Sequence, residues 1–433
     1  MPQSSSAHDI WKPEVLLGVR DAYTWKRPDY FAQSLFPDRP VQAKEIDIDI
    51  RRPRNYGLMQ ASGPLDKGNT VPLHGMKKRT YKLGYFKERV ILDEEDLLMK
   101  RRPGTVSEIL TVNEQVEDAL ELLMLRQDQL MEHLDWEVLQ NFGFTINENG
   151  INYTVSYPQP SNLAIAASAP WDDYLNADPL LDIGTAVGRI TGSGFRWATM
   201  HLPYSLLFHL GQTDQFVTLI NAVMHNWSVG QLPAGKDGGQ LSLFNNLLRY
   251  RVTVQGGPPP QFVENNDKYW LETATNADIA ATGTSVQVDD IRGFAVGDEV
   301  TIEAYDTEAN ETKTLTGVTP ATKTLTWAAP GTTNAYAKGA TVRTPKGHLR
   351  KDRVTLLPDP IEGANMSVLP LGSNLVGPIV YAPAGDIDAP GAGRGLEVFI
   401  HRMDNPKFVE IVSALRFLPA LQQYGAHGYI QAL

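Results

Sequence analysis

Four ionisable side chains crowd two helical turns in the first third of the chain: Glu132, His133, Asp135 and Glu137. A helical zinc protease needs two histidines one turn apart around a glutamate, so that both imidazoles meet one ion while the carboxylate activates water. Only one histidine stands here, and the group reads as a solvated helix face. Other signatures stop short in the same way. Gly391-Ala392-Gly393-Arg394-Gly395 has the glycine density of a dinucleotide loop, but it precedes a strand-like run at 396–400 instead of opening a helix, and it reads as a plain loop. The glycines between Gly188 and Gly194 lack a Gly-Lys-Ser/Thr ending, and no Gly-x-Ser-x-Gly elbow occurs. The 9 histidines are dispersed, and there is no cysteine. Disulfides, thiolate metal sites, iron–sulfur clusters and a cysteine nucleophile are thereby excluded. No catalytic residue, cofactor or metal site is assigned.

One charged group does stand out. Lys77, Lys78, Arg79, Lys82, Lys87 and Arg89 form a basic run, and the acidic Asp93, Glu94 and Glu95 follow it. Alternating charge blocks on an extended segment suit pairing with complementary blocks on a neighbouring subunit, where they set register more than affinity. These nine residues are the candidate inter-subunit contacts. A merely solvated ribbon is the bland alternative. Nucleic-acid contact is a lesser one, because Tyr81, Tyr85 and Phe86 serve equally well as packing residues.

The elements that hold this run can be read from periodicity. Residues 1–42 are proline-punctuated, with scattered aromatics such as Trp11, Tyr30, Phe31 and Phe36, and read as an extended arm whose aromatics need a neighbouring surface. Lys44-Glu45-Ile46-Asp47-Ile48-Asp49-Ile50-Arg51 alternates strictly, as a half-exposed strand does, and residues 79–86 supply a second strand. Two strands alone are marginal in water, so the ribbon needs something to lie on. Thr105-Val106-Ser107-Glu108 is a capping box, and apolar residues recur from Ile109 to Val138, predicting a helix of about 55 Å that stops at Gly143. Mixed α/β structure is expected over 172–255, with strands at 197–202 and 250–254 and helices near 178–190, 204–210 and 215–225. From 274 to 343 the composition turns to threonine, alanine and valine in short alternating runs, which reads as a small all-β insertion. It carries nine acidic residues against five basic ones, a balance of −4 that suits exposure. Strands are expected again at 353–358, 396–402, 408–417 and 428–433.

The 433 residues carry 39 Lys+Arg against 50 Asp+Glu, a net −11. That sign disfavours broad phosphate binding. No apolar run of membrane-spanning length is present, and the N-terminus lacks the pattern of a secretory signal.

The order of these parts resembles the coat-protein fold of tailed bacteriophages and herpesviruses, and within it the lambda-type major capsid protein E family. The resemblance rests on residues 121–143, where Arg126, Glu132, Leu139 and Gly143 hold the places of the family's helix ending, followed by a strand and Pro158. It rests also on Tyr250-Arg251-Val252-Thr253-Val254 with Asp352-Arg353-Val354-Thr355-Leu356-Leu357-Pro358, and on Leu418-Pro419 before the closing strand. Residues 274–343 have no counterpart in the minimal family pattern. The resemblance implies an α+β tailed-phage major capsid fold. It would have an N-terminal arm (1–42), an extended β loop (43–90) and a peripheral domain (91–171) with a spine helix (105–142). An axial domain (172–273, continued at 365–395), the inserted all-β domain (274–343), a return strand (344–364) and C-terminal strands (396–433) complete it. It further implies a structural protein of the virion, with no cofactor and no membrane, assembled in the host cytoplasm as pentamers and hexamers. A separate scaffolding protein, a portal, a decoration protein and packaged double-stranded DNA held without strong specific binding are the implied partners. A tail or adaptor component, or a β-rich hydrolase with a pocket formed only in three dimensions, is the rival reading.

Overall fold

The computed structural model describes residues 30–36, 38–51, 76–93, 112–148, 151–192, 197–219, 261–265, 267–304, 307–358, 379–381, 396–404, 407–421 and 427–433. The chain divides into two compact units, residues 1–264 with 351–433 and residues 265–350.

Among the described residues the first unit begins with a short helix, α1 (Phe31–Leu35), within a stretch expected to be extended. Its Ala32 and the following Phe36 are buried, so packing overrides a segment too short to be helical by propensity. Strand β1 (Asp38–Pro40) follows, then β2 (Glu45–Arg51) and β3 (Met76–Lys82), which pair antiparallel as the expected ribbon. The second strand-like run is not continuous. Leu83 donates its N–H to the Lys44 carbonyl at 3.0 Å and ends the ladder, and β4 (Gly84–Asp93) joins a different sheet. Gly84 marks the change because a Cβ there would lie 2.8 Å from the Phe86 ring and 2.9 Å from the Tyr153 ring.

Helix α2 (Val112–Asn141) has 30 residues and spans about 45 Å. The capping box and residues 105–111 lie outside the described residues. Val116, Ala119, Leu123, Leu134 and Val138 of the expected stripe are buried. The helix does not stop at Gly143 in the manner expected. Phe142 takes the left-handed conformation (φ 54°), donates its N–H to the Val138 carbonyl at 3.0 Å and stacks on His427 at 4.3 Å. Gly143 is needed for a different reason, since a Cβ would lie 2.2 Å from the Val155 carbonyl oxygen. Arg353 donates to Asn141 Oδ1 at 2.7 Å and to the Gln140 carbonyl at 3.2 Å, placing a cation at the helix's negative end.

A hairpin of β5 (Gly143–Glu148) and β6 (Ile151–Ser156) follows, then β7 (Ala164–Ala166), α3 (Pro179–Gly192), β8 (Trp197–Leu202), α4 (Tyr204–Gln212) and β9 (Gln261–Glu264). Helix α3 starts where Asp178 accepts the Leu181 N–H at 3.0 Å and Pro179 takes the first position. Residues 214–219 are helical; the remainder of the helix expected to 225, and the strand expected at 250–254, lie outside the described residues.

The second unit holds β10 (Lys268–Ala274), β11 (Ser285–Gln287), β12 (Glu299–Ala304), β13 (Thr307–Thr319), β14 (Thr324–Trp327) and β15 (Thr341–Gly347). They form one six-stranded sheet in the order β10-β15-β12-β13-β14-β11. Val300, Ile302, Leu315, Leu325, Trp327, Tyr336 and Val342 make its own core. Its first and last strands in sequence, β10 and β15, run past the limits read from composition, because they pair along the whole length of β10.

The first unit resumes with β16 (Arg353–Pro358), β17 (Ile379–Tyr381), β18 (Leu396–Asp404), β19 (Lys407–Pro419) and β20 (Gly428–Gln431). One sheet has the order β7-β20-β16-β8-β9 and packs Trp171, Met200, Phe216, Phe262, Leu356 and Ile430 into a core. The other sets β19 between β18 and β4, with β17 and β1 beyond. In the former, Glu264 lies beside Leu202 on one flank of β8, while Thr355 lies beside His201 on the other. The chain therefore leaves this sheet and re-enters it at the same end of β8, two strand spacings or about 10 Å apart.

Candidate functional site

The ribbon register separates two faces. Ile46, Ile48, Arg79 and Tyr81 share one, and Glu45, Asp47, Thr80 and Lys82 share the other. On the charged face Lys78 reaches Asp47 at 2.7 Å and Lys82 reaches Glu45 at 3.7 Å, while Thr80 donates to Asp47 at 2.6 Å. The bond from Lys78, with that from Thr80, holds the Asp47 carboxyl below the usual carboxylate range. Two of the candidate basic residues thus already have partners inside the subunit. Arg89 is likewise engaged, donating to Glu410 at 2.9 Å. Arg79 and Lys87 are exposed and form no ion pair among the described residues. Lys77 stands in β3 opposite Ile50, and Asp93 in β4 opposite Phe408; Glu94 and Glu95 lie outside the described residues. The candidate residues fall on two sheets instead of one patch, because Leu83 breaks the run between Lys82 and Lys87.

The ribbon's root is fastened by tyrosines that the sequence reading did not single out. Tyr153 donates to the Lys82 carbonyl at 2.6 Å, and burial raises its phenol pKa. Tyr81 lies 4.9 Å ring to ring from Tyr157, which itself donates to the Pro419 carbonyl at 2.7 Å. Alternation in Ile151-Asn152-Tyr153-Thr154-Val155 was the available signal, but it marks a strand and not its target.

The cluster on α2 is not a solvated face. Glu132 and Asp135 are fully buried. Glu132 accepts the Ala32 N–H at 3.0 Å, the Gln33 N–H at 3.1 Å and the Trp136 indole N–H at 2.7 Å. Phe31 lies 4.4 Å from the His201 ring and 6.0 Å from Trp136. The surface that the arm's aromatics require is, for residues 30–36, the subunit's own long helix. Burial drives the His201 pKa down to about 3, so its ring is neutral. Asp182 repeats the pattern, accepting the Ser168 N–H at 2.9 Å and the Trp171 indole at 3.0 Å. These carboxylates hold backbone and indole donors, which is positioning work. Among the described residues no group of three or more His, Asp or Glu could hold a metal ion, and no helix is long and apolar enough to cross a membrane.

A paired ribbon, an arm segment docked on a long helix and two sheet assemblies make this an α+β protein of the capsid type, a structural class built for assembly. The chain belongs to the phage major capsid protein E family, whose model matches residues 22–319. The match runs into the second unit, part of which was read as lacking a family counterpart, and ends before the closing strands that were read as carrying one. No curated protein matches the chain. Among solved structures, a phage-related protein from Bordetella bronchiseptica RB50 is similar at 10% identity, with 97% of each chain covered and a TM-score of 0.46. The capsid of cyanophage P-SCSP1u is similar at 10% identity, covering 95% of this chain and 90% of that one, with a TM-score of 0.43. A holo encapsulin complex from Synechococcus elongatus is similar at 9% identity, covering 96% and 95%, with a TM-score of 0.37.

Proposed function

We propose that this chain is the major capsid protein of a tailed phage, closing as pentamers and hexamers into an icosahedral shell around double-stranded DNA. The family match over residues 22–319 carries the reading. In it, residues 1–42 are the N-terminal arm and 43–90 the extended loop. The helix and its strands (91–171, 344–364, 396–433) are the peripheral domain, and 172–273 with 365–395 the axial domain. Arg79 and Lys87, which form no ion pair among the described residues, are the first choices for contact with a neighbour, ahead of Lys78, Lys82 and Arg89. The net −11 supports enclosing DNA without gripping it. A separate scaffolding protein, a portal and a decoration protein complete the particle, which is assembled in the host cytoplasm. The β-rich unit adds contacts between neighbours or presents a surface to a decoration protein. Electron microscopy of the chain, expressed alone and with its genomic neighbours, tests this. Closed polyhedral shells or rings of five and six are expected. Tubes would point to a tail component, and a persistent monomer would overturn the reading.

A further inference from the structure

We propose that Glu132 is the latch of the N-terminal arm: its buried carboxylate caps α1 from a distant part of the chain and so fixes residues 30–36 to the subunit's long helix. Helix α1 has five residues, and Tyr30 before it supplies no side-chain cap. The first-turn amides that such a helix leaves without partners must therefore be met from elsewhere. Glu132 meets two of them, those of Ala32 and Gln33, with one carboxylate oxygen each. A negative group at a helix's positive end adds to those bonds. Gln33 closes the contact from the arm's side, its Nε2 donating to the Asp128 carbonyl at 2.8 Å one turn up α2.

The carboxylate is in turn held by the Trp136 indole N–H, on the next turn of the same helix. Phe31 then stacks beside Trp136 and His201. Arm and helix are interdependent. Removing α1 would leave a buried carboxylate without two of its donors, and removing the carboxylate would leave buried amides without acceptors. Either loss is costlier than an exposed bond because the groups are desolvated. Residues 30–36 are thus part of the subunit. That the arm extends to a neighbour rests on the capsid reading; the latch itself does not.

Hydrogen exchange on the full-length unassembled subunit tests the latch, and particle yield tests the capsid reading separately. Glu132→Gln, which keeps the side chain's shape but turns a donor toward one of the amides, is expected to speed exchange in residues 31–36 by about tenfold or more. The rest of α2 is expected to stay protected. Phe31→Ala, which acts from the arm side and leaves the helix whole, is expected to speed the same residues and serves if Glu132→Gln fails to fold. Unchanged exchange at 31–36 in both variants would overturn the latch. Protection lost equally along all of α2 in the variants would also overturn it, by making Glu132 a general core residue.

Discussion

The ribbon and the β-rich unit are both antiparallel sheets, and they solve the problem of exposed surface in opposite ways. The β-rich unit stacks six strands and closes over Val300, Ile302, Leu315, Leu325 and Trp327, all at 3% exposure or less. The ribbon has two strands, and its charged face is held by ion pairs between exposed groups, which water and salt screen. Its stability is borrowed at the root, from Tyr153, Tyr157 and the Leu83–Lys44 bond. Pairing alone does not make a sheet stand in water; burial on at least one face does.

The sharpest way to break the comparison is Trp327→Ala. Emptying the core of the β-rich unit is expected to cost about 3–5 kcal/mol there. Differential scanning calorimetry should lose that unit's transition, while exchange in the ribbon stays as it was. If the ribbon loosens too, the two are not separate stability problems.

Acid should separate the two units next. Unfolded His201 takes up a proton below about pH 6.5, whereas the folded ring does so only near pH 3. Between these values the unfolded state binds more protons, so stability falls as pH drops, by roughly 2 kcal/mol at pH 5. In the β-rich unit, burial raises the Glu311 carboxyl pKa, but the Thr333 and Asn334 amides and the Lys313 ammonium together outweigh it, and the net shift is downward. Its contribution is present above the ordinary value of 4.5 and is lost only below that. The first unit should therefore soften before the second in an acid titration followed by exchange, and His201→Gln should flatten the first unit's slope. Loss of the β-rich unit first would contradict this order.

Tyr153→Phe should cost about 1 kcal/mol and raise exchange in β2 and β3 without touching β10–β15. The smallest effect belongs to Lys78→Ala with Lys82→Ala, a shift in the subunit's melting smaller than that of Tyr153→Phe. A large drop would mean that the ribbon's own ion pairs, and not its root, hold it.

Much of the frame is legible without coordinates. Strict alternation over 44–51 located the ribbon's first strand, and the 3.6-residue stripe located α2, because one-sided burial leaves a period; strands at 197–202 and 353–358 were also expected and are present. The break at Leu83 was not legible: it arises from Gly84 meeting Tyr153, a contact across the fold. The same holds for α1, whose amides are satisfied by a carboxylate 100 residues away. The acidic cluster on α2 misled for a related reason. Charged residues usually mark a solvated face, and here Glu132 is buried because the arm brings donors to it. The exposure of Lys78, Arg79, Lys82, Lys87 and Arg89 followed from the pattern, but which were already paired depended on the cross-strand register.

In the proposed shell, neighbouring subunits cover the charged face that the ribbon leaves exposed. Hydrogen exchange, compared between the unassembled subunit and the assembled particle, tests it most directly. The account predicts that residues 45–51 and 76–82 become strongly protected on assembly, while the core strands β12 and β15 exchange at the same slow rate in both states. Equal exchange of the ribbon before and after assembly would contradict it.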